Sequence, residues 1–327
     1  MRHFDIIIIG GGPIGIACAI EAQKNGLSYL IIEKGCLVNS LYHYPVNMQF
    51  FSSSELLELD HIPFISKENK PRRSEALEYY RRVVTTHNIQ INLFEMVMDV
   101  QKDENEIFQL KTSKDQYTAN NVIVATGFYD IPNPLNIPGE NLAKVSHYYT
   151  DPHYYAGMDV VVVGASNSSV DAALECYRKG AKVTMVIRDS EISSHVKYWV
   201  KPDIENRIKE GSITALFNSN IKEITDKSVV VQSDKKEITI KNDFVLALTG
   251  YRPNFVFLEQ LGITLSKDDD CTPTYNTETM ETNVSNLYLA GVVCGGLNTH
   301  TWFIENSRIH AVTILTHIVS KYRYCRF

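Results

Sequence analysis

No two cysteines in this sequence stand in a C-x-x-C spacing, and none joins histidines in a zinc-binding pattern. The six lie scattered at positions 18, 36, 176, 271, 294 and 325, which excludes a local dithiol centre and a finger-type metal site. Thiols spread in this way are expected to be reduced, in a reducing cytoplasmic compartment. Long apolar runs are missing too. The N-terminal run Ile6 to Ile9 stops at glycines and is too short for a secretion signal. No segment approaches the roughly 20 apolar residues that a membrane-spanning helix needs, so no membrane partner is expected. Charge of one sign is also missing. A net charge of −6 with pI near 5.9 argues against a nucleic-acid partner. There is no low-complexity segment. A chain of 327 residues has room for two domains, and 44% hydrophobic with 21% charged residues is an ordinary globular composition.

What is present is a glycine-rich turn, twice. FDIIIIGGGPIGIACAIEAQKNGLSYLIIEK, from Phe4 to Lys34, and DVVVVGASNSSVDAALECYRKGAKVTMVIR, from Asp159 to Arg188, each read as strand, turn, helix, strand. In the first, Gly10, Gly12 and Gly15 form G-x-G-x-x-G: one glycine for the tight turn, one for backbone approach to a pyrophosphate, one for close helix–strand packing. The helix that follows aims its N-terminal N–H groups at the phosphates, and Pro13 suits a first helical turn. In the second, Gly164, Ser166 and Ser169 take the glycine positions, with Asn167 and Ser168 between the serines. Serine is small enough for the turn, and its hydroxyl is expected to add a phosphate contact. Two such units argue for two dinucleotide sites, a flavin and a nicotinamide.

The second strand of each unit ends differently. Glu33 accepts hydrogen bonds from an adenosine ribose and repels a 2′-phosphate, which suits FAD or NAD. The guanidinium of Arg188 can pair with a 2′-phosphate, which suits NADP, and His195 and Lys197 follow on the next segment.

Further along, a mixed aromatic stretch holds Tyr42, Tyr44, Gln49, Phe50 and Phe51, candidates for flanking a flavin ring or, for Gln49, bonding its edge; each is also a candidate core residue. A helix is expected from Arg73 to His87, opened by Pro71. Lys70, Arg72 and Arg73 form a basic group, read either as a solvated helix start or as an anion site. Strands are expected at INLFEMVMDVQ, at IFQLKTSKDQYTA and at NNVIVATGF, the last ending in Ala125, Thr126 and Gly127. The second nucleotide unit closes with DFVLALTGYRPN, where Gly250 repeats the strand–T-G context. NLYLAGVVCGG leads to a closing helical stretch near Phe303 to Ser320. One nucleotide domain is thus interrupted by another. The expected fold is α/β, with two Rossmann-like dinucleotide-binding domains: a discontinuous FAD domain at 1–130 and 250–327, an inserted NADPH domain at 151–247, and links at 131–150 and 248–249.

ATG at 125–127, TGYRP at 249–253 and NLYLAG at 286–291 resemble the two-domain flavoproteins of the thioredoxin reductase type, over essentially the whole chain. YPVNMQFFSSSELL, KPRR with EALEYYR, and FIENSRIH at 303–310 resemble most closely the bacillithiol disulfide reductase (YpdA) family. The resemblance implies FAD at Gly10, Gly12, Pro13, Ile14, Gly15, Glu33, Lys34, Gln49, Thr126, Gly127 and Gly291. It implies NADPH at Gly164, Ser166, Asn167, Ser168, Ser169, Arg188 and Lys197, and domain rotation to bring nicotinamide to flavin. It also implies an acceptor that is a small-molecule disulfide or a small redox protein, and a homo-oligomer. Thioredoxin reductases place an acidic residue after the late-motif glycine; here it is Val292, as in the bacillithiol branch. That branch carries a cysteine inside the first glycine motif, and here the position is Ile14. Isoleucine has no redox chemistry. Disulfide activity is then lost, or taken over by another thiol such as Cys18 or Cys294, or run without a protein thiol. A ferredoxin- or flavodoxin-type NADP reductase, which needs no cysteine, is the alternative enzyme. A nucleotide-sensing flavoprotein without an acceptor is the non-enzymatic one. In the C-terminal KYRYCRF, Tyr322, Tyr324 and Phe327 are either a frayed tail or an aromatic cover for the flavin.

Overall fold

The computed structural model of the chain describes residues 1–233 and 236–324. They form two compact units, one of residues 1–43, 48–131 and 252–327 and the other of 44–47 and 132–251. Cys325 and Phe327 lie outside the described residues.

The first unit is built on a seven-stranded sheet. The opening strand, Arg2–Ile9, has Ile6, Ile7, Ile8 and Ile9 buried on both faces, as expected of a parallel strand covered on two sides. It pairs parallel with Tyr29–Ile32 on one side and Gln116–Val124 on the other. Ile91–Asn92 adds beyond Tyr29–Ile32, and Leu287–Leu289 beyond Val124. The carboxyl ends at Ile9, Ile32, Asn92, Val124 and Leu289 therefore share one edge, where open α/β sheets bind ligands. An antiparallel pair, Val97–Lys102 and Phe108–Thr112, is added on the first half of Gln116–Val124.

Three expectations change here. The segments at IFQLKTSKDQYTA and NNVIVATGF form a hairpin whose second arm is the single nine-residue strand Gln116–Val124. Asn120 and Asn121, where the two expected strands meet, lie inside it. Asn121 stays in the strand because its amide donates to the Asp5 carbonyl at 3.1 Å and the Tyr322 hydroxyl at 3.0 Å. Tyr322 is therefore a packed helix residue and no frayed tail. The closing helical stretch is divided into Ile304–Ser307 and Ile309–Tyr324. The helix Arg73–His87 has its expected span, and Glu75 accepts the Arg72 N–H at 2.7 Å at its start.

The second unit holds an all-parallel sheet in the order Thr214–Leu216, Lys182–Val186, Asp159–Val163, Phe244–Ala247, Val145–Ser146. Helix Asn167–Arg178 packs Val170 and Leu174 into the core with Val160, Val162 and Met185. An antiparallel meander follows: Ser219–Ile224, Ser228–Ser233, Lys236–Lys241. The stretch 131–150, expected as a link, mostly belongs to this unit, because Val145–Ser146 extends its sheet.

In the first unit the glycine turn is packed as closely as its spacing suggests. Gly10 has φ +113°, and a Cβ there would lie 2.5 Å from the Ala125 carbonyl oxygen; a Cβ on Gly15 would lie 2.0 Å from the Gly10 oxygen. Both obstacles are backbone, which has no rotamer to yield. Gly15→Ala is therefore expected to cost about 1–3 kcal/mol or more. Thermal melting should show the loss, while Gly12→Ala, whose Cβ meets nothing within 4 Å, melts like the parent. Equal melting of the two variants would overturn the packing role of Gly15.

Candidate functional site

The helix Pro13–Lys24 begins at Gly12 with no side chain capping it, and Pro13 fills its first position. Its first-turn N–H groups are thus left to an outside acceptor, and the space over Gly12 is open. At the end of the next strand Glu33, 7% exposed, accepts the Gly11 N–H at 2.7 Å and the Gly35 N–H at 2.8 Å. Burial raises its pKa, while the two amide donors and Lys34 pull the other way. Gly127 has φ +70°, and nothing would meet a Cβ there within 4 Å. An uncapped helix start, an open glycine and a fixed carboxylate fit a flavin dinucleotide. Lys34 does not add to that set, since its ammonium is paired with Asp130 at 2.7 Å.

The late glycine brings a residue that the sequence did not point to. Gly291 has φ +86°, and its face lies against Ile14, whose Cγ1 would stand 3.3 Å from a Cβ at position 291. The Gly291 N–H donates to His310 Nδ1 at 3.1 Å. A backbone N–H can only donate, so the imidazole proton sits on Nε2. His310 is 3% exposed, its ring meets Trp302 edge to face at 4.5 Å, and Nε2 has no partner among the described residues. Burial lowers its pKa to about 4. A neutral imidazole thus secures the Gly291 turn. Nothing near His310 in the sequence signals this, because its partner is 19 positions away.

The two thiols considered as catalytic candidates are core residues. Cys18 is fully buried and burial pushes its thiol up to about 12. Cys294, 1% exposed, is also pushed up by burial, and its sulfur lies 4.0 Å from His310 Nδ1. A nucleophilic thiol needs the opposite shift. Burial raises Cys36 and takes Cys176 to about 12 as well. Ile14 is 8% exposed and packed on Gly291.

The aromatic and basic stretch holds itself together. The Gln49 amide donates to Glu68 at 3.1 Å and to the Lys70 carbonyl at 3.1 Å, so it is committed away from a flavin edge. Phe50 is core, whereas Tyr42 and Phe51 are exposed beneath Arg73 and Lys70 at 5.4 and 4.9 Å. Arg73 also donates to the Tyr42 carbonyl at 2.6 Å and the Leu41 carbonyl at 3.2 Å, and Arg72 pairs with Glu68 at 3.3 Å. These cations pin a loop, which supports the reading of this group as a helix start over that of an anion site. Tyr44 falls in the short stretch grouped with the second unit.

The second turn repeats the first. Gly164 has φ +122°, and a Cβ there would lie 2.6 Å from the Leu248 carbonyl oxygen. Ser166 caps the helix by position only, with no side-chain hydrogen bond, so the first-turn N–H groups are again free; Ser166 and Ser168 are exposed. Ser169 differs from its expected role. It is fully buried in the place of Gly15 and its hydroxyl donates to the Ser166 carbonyl at 2.9 Å, so it packs and does not reach a phosphate. Asn167 spends both ends of its amide, donating to the His195 carbonyl and accepting the Lys197 N–H, each at 2.9 Å. Lys197 is 8% exposed and paired with Asp171 at 2.8 Å, so it is no free phosphate ligand. Arg188 stays available: its side chain is 80% exposed, and among the described residues its ion-pair partner is Asp189, at 3.7 Å. Among the described residues no cluster of side chains suits a metal ion, and no helix is long and apolar enough to cross a membrane.

His310 makes a pH prediction. Its folded pKa of about 4 lies below the ordinary 6.5, so between these values the unfolded chain binds a proton that the folded chain refuses. Stability is therefore flat above about 6.5 and falls as pH drops towards about 4. His310→Asn keeps an acceptor for Gly291 and removes the titration. Melting curves across this range should show the parent losing an increment that the variant keeps. Identical pH profiles would refute the assignment.

Comparison with known proteins adds the chemistry. The family description "Pyridine nucleotide-disulphide oxidoreductase" matches residues 7–291. The chain is 48% identical over 316 residues to bacilliredoxin reductase Bdr of Bacillus subtilis (strain 168), covering 96% of this chain and 97% of that one. It is 45% identical to the solved bacillithiol disulfide reductase Bdr (YpdA) of Bacillus cereus, with TM-score 0.96 over 98% of this chain and 100% of the other. The Staphylococcus aureus enzyme of that name gives 42% identity and TM-score 0.95 over 98% and 99% of the two chains. With its two dinucleotide turns and these relatives, the chain belongs to the pyridine nucleotide-disulphide oxidoreductase family and is one of its flavoenzymes, working with FAD and NADPH.

Proposed function

We propose that this enzyme draws electrons from NADPH through FAD to reduce a disulfide of the bacillithiol type, free or carried on a small protein. The observation that carries the reading is the contrast between the two strand ends: a buried carboxylate, Glu33, beside the first turn and an exposed guanidinium, Arg188, beside the second. The first suits the ribose of FAD and the second the 2′-phosphate of NADPH. The relatives' names point to two forms of the disulfide, bacillithiol disulfide itself and a bacilliredoxin. A homo-oligomer in the cytoplasm is the expected setting.

FAD, when bound, supplies a ring that accepts a hydride and passes electrons on. The chain's part is to hold both dinucleotides. Gly12 and the uncapped start of helix Pro13–Lys24 receive the FAD pyrophosphate, Glu33 the ribose, and Gly291 the middle of the molecule, with Ile14 lying between the two glycine turns. Exposed Ser166 and Ser168 and the free N–H groups of helix Asn167–Arg178 receive the NADPH pyrophosphate. Position 14 supplies no thiol, and burial raises the pKa of Cys18, Cys36, Cys176 and Cys294, while Cys271 lies part-buried in a late loop away from both glycine motifs in the sequence. That favours a second reading, a ferredoxin- or flavodoxin-type NADP reductase that needs no protein thiol.

Steady-state NADPH oxidation with bacillithiol disulfide, a bacilliredoxin mixed disulfide, ferredoxin and oxygen separates the two. The expected outcome is fast flavin reduction in rapid mixing, slow turnover with the disulfides, and faster disulfide turnover in Ile14→Cys, since a helix N-terminus lowers a thiol pKa. Ferredoxin as the best acceptor, with no response to Ile14→Cys, would decide for the second reading. Arg188→Ala is expected to weaken NADPH about tenfold to a hundredfold, the loss of a charge-assisted hydrogen bond of about 1.5–3 kcal/mol, and to leave NADH nearly unchanged. Equal loss for both coenzymes would show that Arg188 does not meet the 2′-phosphate.

A further inference from the structure

Lys197 is buried, yet it follows Arg188 and His195 in the segment where a 2′-phosphate is expected. Its ammonium is 2.8 Å from the Asp171 carboxylate, on the second turn of helix Asn167–Arg178. The segment around it is fastened to the same turn and helix at three more points. The Ser193 N–H donates to the Ala165 carbonyl at 3.1 Å, inside the glycine turn. Asn167, the first residue of the helix, donates to the His195 carbonyl and accepts the Lys197 N–H. His195 is left exposed at the crest, beside the uncapped helix start.

Asn167 and Asp171 are four residues apart and share one face of the helix. Together they grip Lys197, one by its backbone and one by its side chain. A buried ammonium without its carboxylate is strongly unfavourable, whereas the paired charges hold one geometry. Breaking the pair should therefore drive Lys197 towards water and take the 193–197 segment off the turn.

We propose that the Lys197–Asp171 ion pair is a positioning pair for the coenzyme: it clasps the 193–197 segment against the second dinucleotide turn and thereby forms one wall of the NADPH site. Lys197 acts through this segment and not on a phosphate. The inference rests on the reading that NADPH binds at this turn.

The test is equilibrium binding of NADP⁺ to the flavin-loaded protein by calorimetry, with melting and flavin absorbance as folding controls. Asp171→Asn separates the two roles of Lys197. A clasp predicts that it weakens NADP⁺ at least about tenfold, or about 1.4 kcal/mol. A direct phosphate contact predicts unchanged or tighter binding, because a competing carboxylate has gone, and that result overturns the proposal. The exchanged pair Asp171→Lys with Lys197→Asp restores the clasp and should recover most of the affinity. A direct contact would then be replaced by a repelling carboxylate and binding would be lost. Should Asp171→Asn not fold, the exchanged pair decides. Absence of NADP⁺ binding in the parent, or parent-like affinity in Arg188→Ala, would instead defeat the underlying placement of the coenzyme.

Discussion

Each dinucleotide turn depends on one close approach: a backbone carbonyl just past the end of a neighbouring parallel strand, Gln116–Val124 or Phe244–Ala247, lies over the first glycine. A Cβ on Gly10 would stand 2.5 Å from the Ala125 oxygen, and one on Gly164 would stand 2.6 Å from the Leu248 oxygen. Both glycines have φ beyond +110°, where L side chains are strained. The chain meets the same demand twice, and twice it follows the covering carbonyl with a threonine and a left-handed glycine, Thr126–Gly127 and Thr249–Gly250. This constraint sets the turn so that the next helix starts against the sheet edge with its N–H groups unspent. Binding capacity follows from a packing requirement.

Electrostatics then separates two turns that the backbone makes alike. Glu33 is drawn inward and fixed by two amide donors, which places a negative charge beside the first turn, where an extra phosphate would be disfavoured. Arg188 is left in solvent, where a guanidinium pays little for waiting. Other cations serve the scaffold instead: exposed Lys34 meets Asp130, buried Lys197 meets Asp171, and part-buried Arg73 meets backbone carbonyls. The partner each cation has found, more than its exposure, separates Arg188 from those already committed.

That distinction is also where reading the sequence reaches its limit. The turns, their order along the chain and the helix Arg73–His87 follow from local patterns, spacing of glycines and periodicity of apolar residues, and the structure has them in those places. Lys197 and Gln49 could not be placed in this way, because the carboxylates that engage them, Asp171 and Glu68, lie 26 and 19 positions away. At Ser169 the sequence suggests a phosphate-binding hydroxyl, but volume matters more: the position of Gly15 is packed, and a serine there turns its oxygen back onto its own helix. His310 carried no local signal at all. Its role exists only once the closing helix brings it to Gly291.

The region around Gly291 bears on what the enzyme can do with its electrons. Ile14, Gly291, His310 and Cys294 are close-packed, with Trp302 against His310. An isoleucine there fills volume and offers no thiolate. The cysteine closest to the histidine is buried, raised in pKa and next to an imidazole whose Nδ1 is already taken by a backbone N–H. A Cys–His pair works when the imidazole can accept the thiol proton. Here the acceptor nitrogen is occupied and burial keeps the ring from holding a second proton. Proximity of Cys294 to His310 thus does not amount to a nucleophilic pair. A thiol step at this place would need a new residue at position 14, where the helix start can stabilise a thiolate that the interior cannot.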